Sequence, residues 1–162
     1  MDAKTGLRRP ALDPATVPPR TSTGYPTEAM RAVTKGRAKQ PLGDALGLTT
    51  FGVNLTRLEP GAASALRHWH LRQDEFVFVL EGEVTLVTDE GEQVLPAGTC
   101  AGFRGGVPNG HQLVNRTSRP AIFLEVGDRL PGDGAEYPDH DLQVRATPAG
   151  WRYRHKDGSS YE

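Results

Sequence analysis

A single cysteine, Cys100, occurs in 162 residues, so no internal disulfide can staple the chain. Charge of one sign is also missing. Lys plus Arg number 19 and Asp plus Glu 20, a formal net charge of -1, which excludes a global field that would gather nucleic acid or an anionic membrane. No apolar run approaches the length that spans a bilayer. Behind Met1 come Asp2, Lys4, Arg8 and Arg9 with no apolar segment, which argues against a secretory signal. With the lone thiol, this sets the expectation of a reduced, cytoplasmic home. There is no internal repeat, and no glycine-rich phosphate loop stands before a helix. What remains is an ordinary globular composition, 24% charged and 36% hydrophobic, of a length that suits one domain.

Gly (19) and Pro (13) punctuate short apolar runs, as in an all-β chain. Residues 1–40 read as an N-terminal arm, because Pro10, Pro14, Pro18, Pro19 and Pro26 interrupt any helical or strand period. The first ~20 are expected to be extended or mobile, a tail or an arm docked on a neighbouring subunit. Residues 41–47 can hold one helical turn. From Leu48 the pattern is β, beginning with Phe51, Val53 and Leu55 on one face of a strand. Further strands are expected at Arg67–Leu71, Glu75–Leu80, 84–88, Gln93–Leu95, Thr99–Phe103, His111–Asn115 and Ala121–Val126. Residues 127–150 read as loop, and Trp151–Lys156 as a last strand. Seven or more short strands at regular spacing indicate a sandwich or barrel.

His68 and His70 are two apart. On a strand both imidazoles point to one side and can reach one ion. Glu75 opens the next strand and can fold back beside them if the two strands pair. His111 opens a later strand. Three neutral imidazoles and one carboxylate suit a divalent Zn, Fe, Ni, Cu or Mn and leave coordination positions open for a ligand. Asp74 is the alternative carboxylate. Glu75 is preferred, because its parity puts Val77 and Val79 on the same inward face.

Gly61, His68-Trp69-His70, Glu75 and Gly82 resemble the first motif of the cupin superfamily. Gly102, Pro108-Asn109-Gly110, His111 and Asn115 resemble the second. The resemblance covers about residues 50–127. It implies a double-stranded β-helix, or jelly-roll barrel, over residues 41–162, with His68, His70, Glu75 and His111 as metal ligands. Two departures stand out. One residue more than the pattern separates Gly61 from His68, and the residues that usually separate the second-motif glycine from its histidine are missing before His111. HWHLRQDEFVFVLEGEVTLVTDEG and PNGHQLVNRTSRPAIFLEVGDR are similar to uncharacterised bacterial single-domain cupins, some called sugar-phosphate isomerase-like.

The opposite face of the Glu75 strand carries Phe76, Phe78 and Leu80, an apolar stripe that must be covered, and a homodimer is the expectation. Trp69 should point away from the metal, into core or interface packing. Cys100, in an apolar strand, is expected to be a buried, inert thiol. Asn115 reads as a strand-end residue, His140 and His155 as loop or surface histidines, and Arg104 as a solvated loop residue. The functional expectations are a metal-dependent enzyme (isomerase, epimerase or oxygenase) on a small polar or anionic substrate, a non-catalytic small-molecule sensor, or a structural dimer. No general base beyond the ligands is evident in the sequence.

Overall fold

A computed structural model describes residues 6–161. The part of the expected tail at residues 1–5 lies outside that range. Twelve strands follow one another: β1 (Arg37–Pro41), β2 (Phe51–Leu58), β3 (Trp69–His70), β4 (Glu75–Glu81), β5 (Glu83–Thr88), β6 (Gly91–Pro96), β7 (Cys100–Phe103), β8 (Gln112–Val114), β9 (Ala121–Asp128), β10 (Gly134–Tyr137), β11 (Leu142–Thr147) and β12 (Gly150–Arg154). Among the described residues the α-helices are two single turns, α1 (Glu28–Ala32) and α2 (Leu42–Leu46), the latter in the segment expected to hold one. No helix among the described residues is long and apolar enough to cross a membrane.

All pairings are antiparallel. Three sheets form, with orders β1-β2-β9-β4-β7, β12-β11-β10-β3 and β6-β5-β8, a jelly-roll arrangement. One core lies between the first and third sheets. It is built from Leu58, Val77, Val79, Val84, Leu86, Leu113 and Phe123, all under 7% exposed. Each fully buried side chain of this size contributes roughly 1.5–3 kcal/mol. A second core packs Tyr25 and Leu66 against Ala135, Tyr137, Leu142 and Val144 of the second sheet. The parity of β4 is as expected: Val77 and Val79 are buried, whereas Phe76 (43%) and Leu80 (42%) are exposed. Between β4 and β5 the chain turns at Gly82 with φ 72°, and a Cβ there would sit 2.7 Å from the Pro120 carbonyl oxygen. Only glycine satisfies both constraints.

Several expectations differ from the structure. The segment read as an arm runs into the barrel: β1 is an edge strand of the five-stranded sheet, in register with β2, and Arg20 bridges to Lys39. Upstream, Asp13 caps a 3-10 turn at Pro14–Thr16, accepting from Ala15 N at 2.9 Å, and Val17 is buried. Prolines here initiate turns instead of preventing order. Residues 127–150 are not loop. They contain β10 and β11, short strands hidden between turn residues. The strand expected at Arg67–Leu71 shrinks to Trp69–His70, with His68 in an isolated bridge. The core-facing residues of β2 are Thr56 and Leu58, and Phe51, of the opposite parity, is 41% exposed. Cys100 is exposed, because it pairs opposite Phe78 on the outward parity of the sheet. Asn115 is wholly buried. Its amide donates to Leu58 O and Arg119 O, and its oxygen accepts from Thr117 N.

Candidate metal centre

Four side chains from three separate stretches of chain meet between the two cores. Alternation around Trp69 puts His68 and His70 on one side, with ring centroids 5.1 Å apart. The shortened spacing before His111 still leaves it in register with His68. His68 and His111 exchange both backbone hydrogen bonds (His111 N to His68 O 2.8 Å, His68 N to His111 O 3.1 Å), and their rings lie 4.9 Å apart. Gly110 is buried just before it, where a Cβ would meet the Pro138 ring at 2.9 Å. Glu75 opens β4 opposite Phe103 of β7. The Phe103 ring stacks on His111 at 3.7 Å and fixes its plane.

Glu75 Oε2 lies 2.8 Å from His111 Nε2, 3.5 Å from His70 Nε2 and 3.9 Å from His68 Nε2. The donor atoms of His68, His70 and Glu75 all lie within 4.8 Å of one another. The structure therefore brings together all four residues singled out in the sequence. Asp74, the alternative carboxylate, points elsewhere and accepts from Gly105 N at 2.8 Å. Trp69 is half-buried, and His155 pairs with Asp141 instead.

The tautomers are set from behind. His68 Nδ1–H donates to the Leu66 carbonyl at 2.7 Å, and His70 Nδ1–H to Asp133 Oδ2 at 2.7 Å. A carbonyl or carboxylate can only accept, so both Nε2 lone pairs are left free on the pocket side. Asp133 is itself held, accepting from Arg72 N (2.9 Å) and Gln73 N (3.3 Å), and is 3% exposed. Burial pushes the His68 imidazole down to about 4, against the pull of Glu75, so it is neutral at pH 7. Burial alone would raise the Glu75 carboxyl. The hydrogen bond from His111 and the surrounding imidazoles outweigh it and hold the group well below the usual carboxylate range. Neutral imidazoles and an ionised carboxylate are the protonation states that metal binding requires. This donor set fits a divalent transition metal. His111 Nδ1 is buried without a partner, so among the described residues the one polar contact of that side chain is on the Glu75 side.

The centre opens on a cavity of about 230 Å³, walled by Tyr25, Arg37, Lys39, Glu125 and Tyr153. Lys39 Nζ and Glu125 Oε2 are 2.7 Å apart, partly buried, and inward-facing on β1 and β9. None of these five, nor Asp133, was found by sequence reasoning. Asp133 sits in PGDG, which reads as a turn, and the others stand outside any motif.

A jelly-roll barrel with imidazoles and a carboxylate beside a cavity is the class of protein that the fold and the site define. The chain belongs to that class's cupin superfamily: the cupin-domain family model matches residues 54–127. A structure described as a sugar phosphate isomerase of the cupin superfamily, from Silicibacter pomeroyi, is 50% identical, with TM-score 0.90 over 94% of this chain and 97% of that one. A putative sugar phosphate isomerase from Acidithiobacillus ferrooxidans is 29% identical, with TM-score 0.70 over 75% and 77% of the two chains. A predicted oxalate decarboxylase from Thermotoga maritima shares the fold, at 20% identity and TM-score 0.59 over 74% and 99%. No curated protein matches the chain.

Proposed function

We propose that this protein is a metal-dependent enzyme acting on a small hydroxylated substrate, and that isomerisation of a sugar-type carbonyl compound is its reaction. The convergence of three imidazoles on the Glu75 carboxylate, beside a cavity, carries the proposal. His68, His70, Glu75 and His111 would hold the ion. When bound, a divalent metal supplies Lewis-acid polarisation of a substrate oxygen.

The chain's own residues do the rest. His68 and His70 are kept in the metal-binding tautomer by Leu66 O and Asp133. Phe103, Val77 and Leu113 make the apolar side of the cavity. Carbonyl isomerisation moves a proton between adjacent carbons and needs a group that takes and returns it. Glu125 Oε2 fills that role on the wall, and Lys39 Nζ, 2.7 Å away, can stabilise negative charge that develops on the substrate. The two relatives described as sugar phosphate isomerases support this reaction class over oxygenation.

The test is incubation of metal-loaded protein with phosphorylated aldoses and ketoses of three to six carbons, followed by NMR. Interconversion that chelator abolishes is expected. Glu125→Gln should lose about 100-fold in turnover, the scale of one general base, while binding the metal as before. Absence of turnover across the panel, with metal bound, refutes the enzyme reading and leaves a binding protein.

A further inference from the structure

Arg37 lines the same cavity, on β1, and is only 8% exposed. Its Nη1 donates to Ser64 O at 2.6 Å and its Nη2 to Ser22 O at 3.2 Å. The Nε–H is buried with no acceptor. Two of five N–H groups are thus matched, and both acceptors are neutral carbonyls. Among the described residues no carboxylate lies within 4.0 Å of this guanidinium. Lys39, the neighbouring cation on the wall, is matched by Glu125. The nearby phenols of Tyr25 and Tyr153 offer no negative charge either, since burial pushes Tyr25 up to about 12 and Tyr153 upward as well.

An uncompensated buried charge costs several kcal/mol, and a Met or Leu would fill this space without that cost. The planar fork of an arginine matches a carboxylate or phosphate. We propose that Arg37 anchors an oxyanion group, carboxylate or phosphate, on the small molecule that the cavity binds. This deepens the functional reading above and rests on it for the identity of the cavity as the substrate site. Thr23 lines the same cavity and carries a hydroxyl able to act as a second donor. The arrangement puts the anionic end of the ligand at Arg37, in the cavity that Glu75 and Glu125 also line.

The test is calorimetric titration of the full chain with inorganic phosphate and, separately, with acetate, at constant ionic strength set with chloride. It is run with chelator and again with Mn²⁺, on wild type, Arg37→Gln and Arg37→Lys. Saturable binding of at least one anion by the wild type in chelator is expected, weakened about 10- to 100-fold in Arg37→Gln. Which anion binds separates phosphate from carboxylate. No saturable binding of either anion overturns the proposal. So does anion binding that needs Mn²⁺ and survives Arg37→Gln, which places the anion on the metal. Should Arg37→Gln fail to fold, the Arg37 Nε–H resonance of ¹⁵N-labelled wild type, assigned with Arg37→Lys, decides: it shifts on adding the anion, or the proposal falls. Mn²⁺ affinity is read in the same samples, so loss of the metal reading with anion binding intact is distinguishable.

Discussion

Replacing Asp133 with Asn should damage metal binding more than folding. Asp133 Oδ1 accepts from two backbone N–H groups, of Arg72 and Gln73, and Oδ2 accepts from His70 Nδ1–H. Asn has one accepting oxygen. The two backbone donors claim it, which turns the amide N–H toward His70 Nδ1. The imidazole answers by moving its proton to Nε2, the atom that faces Glu75. A protonated Nε2 has no lone pair for a metal. Losing an orienting partner of this kind costs about 10- to 100-fold in metal affinity, about 1.4–2.7 kcal/mol. The fold loses less, about 1–2 kcal/mol, since a neutral hydrogen bond replaces a charge-assisted one in the same volume. Competition with a chromophoric chelator for Zn²⁺ or Mn²⁺ measures the first quantity, and urea unfolding in chelator the second. A variant within twofold of wild type in metal affinity, but destabilised, would refute the tautomer argument and leave Asp133 a purely structural residue.

The metal-free protein should lose stability on acidification between pH 6.5 and 4. His68 has a folded value of about 4 against an ordinary 6.5, so the unfolded chain binds the proton first and stability rises with pH through that window. The limit is about 3 kcal/mol, read from urea midpoints at pH 7 and pH 4 in chelator; equal midpoints would contradict it. Glu75, held below its ordinary value, adds a further loss in the same direction below about pH 4.5. Asn115→Ala strands the buried Leu58 carbonyl and removes the bond to Arg119 O, so unfolding free energy should fall by about 3 kcal/mol in a denaturant titration. Cys100 should react with a thiol reagent in the native state, one equivalent per chain without denaturant.

The parts legible in the sequence are those governed by two-residue alternation. Val77 and Val79 inward, Phe76 and Leu80 outward, and Glu75 chosen over Asp74 all follow from one parity. The paired histidines follow from the same rule. Cys100 shows its limit: its strand is apolar, but which parity faces in depends on pairing with Phe78, which local pattern does not carry. The strand β1 escaped notice because its inward residues, Arg37 and Lys39, line a polar cavity and so leave no hydrophobic alternation to read. β10 and β11 lie among Pro131, Gly132, Pro138 and Pro148, and these turn residues mask the short alternation of Leu142 and Val144 in β11. Asp133 and Glu125 owe their positions wholly to tertiary structure.

All four converging side chains fall within residues 54–127, the region matched by the family model. Several of those that steer and enclose them do not: Tyr25, Arg37 and Lys39 come before it, Asp133 and Tyr153 after. Excising the shared domain as a minimal unit would keep the coordinating atoms, with Phe103 and Glu125, and discard part of the wall, the orienting carboxylate and the edge strand that closes the sheet. Substitutions toward either end of this chain can therefore change what the cavity accepts while the central set of donors stays in place.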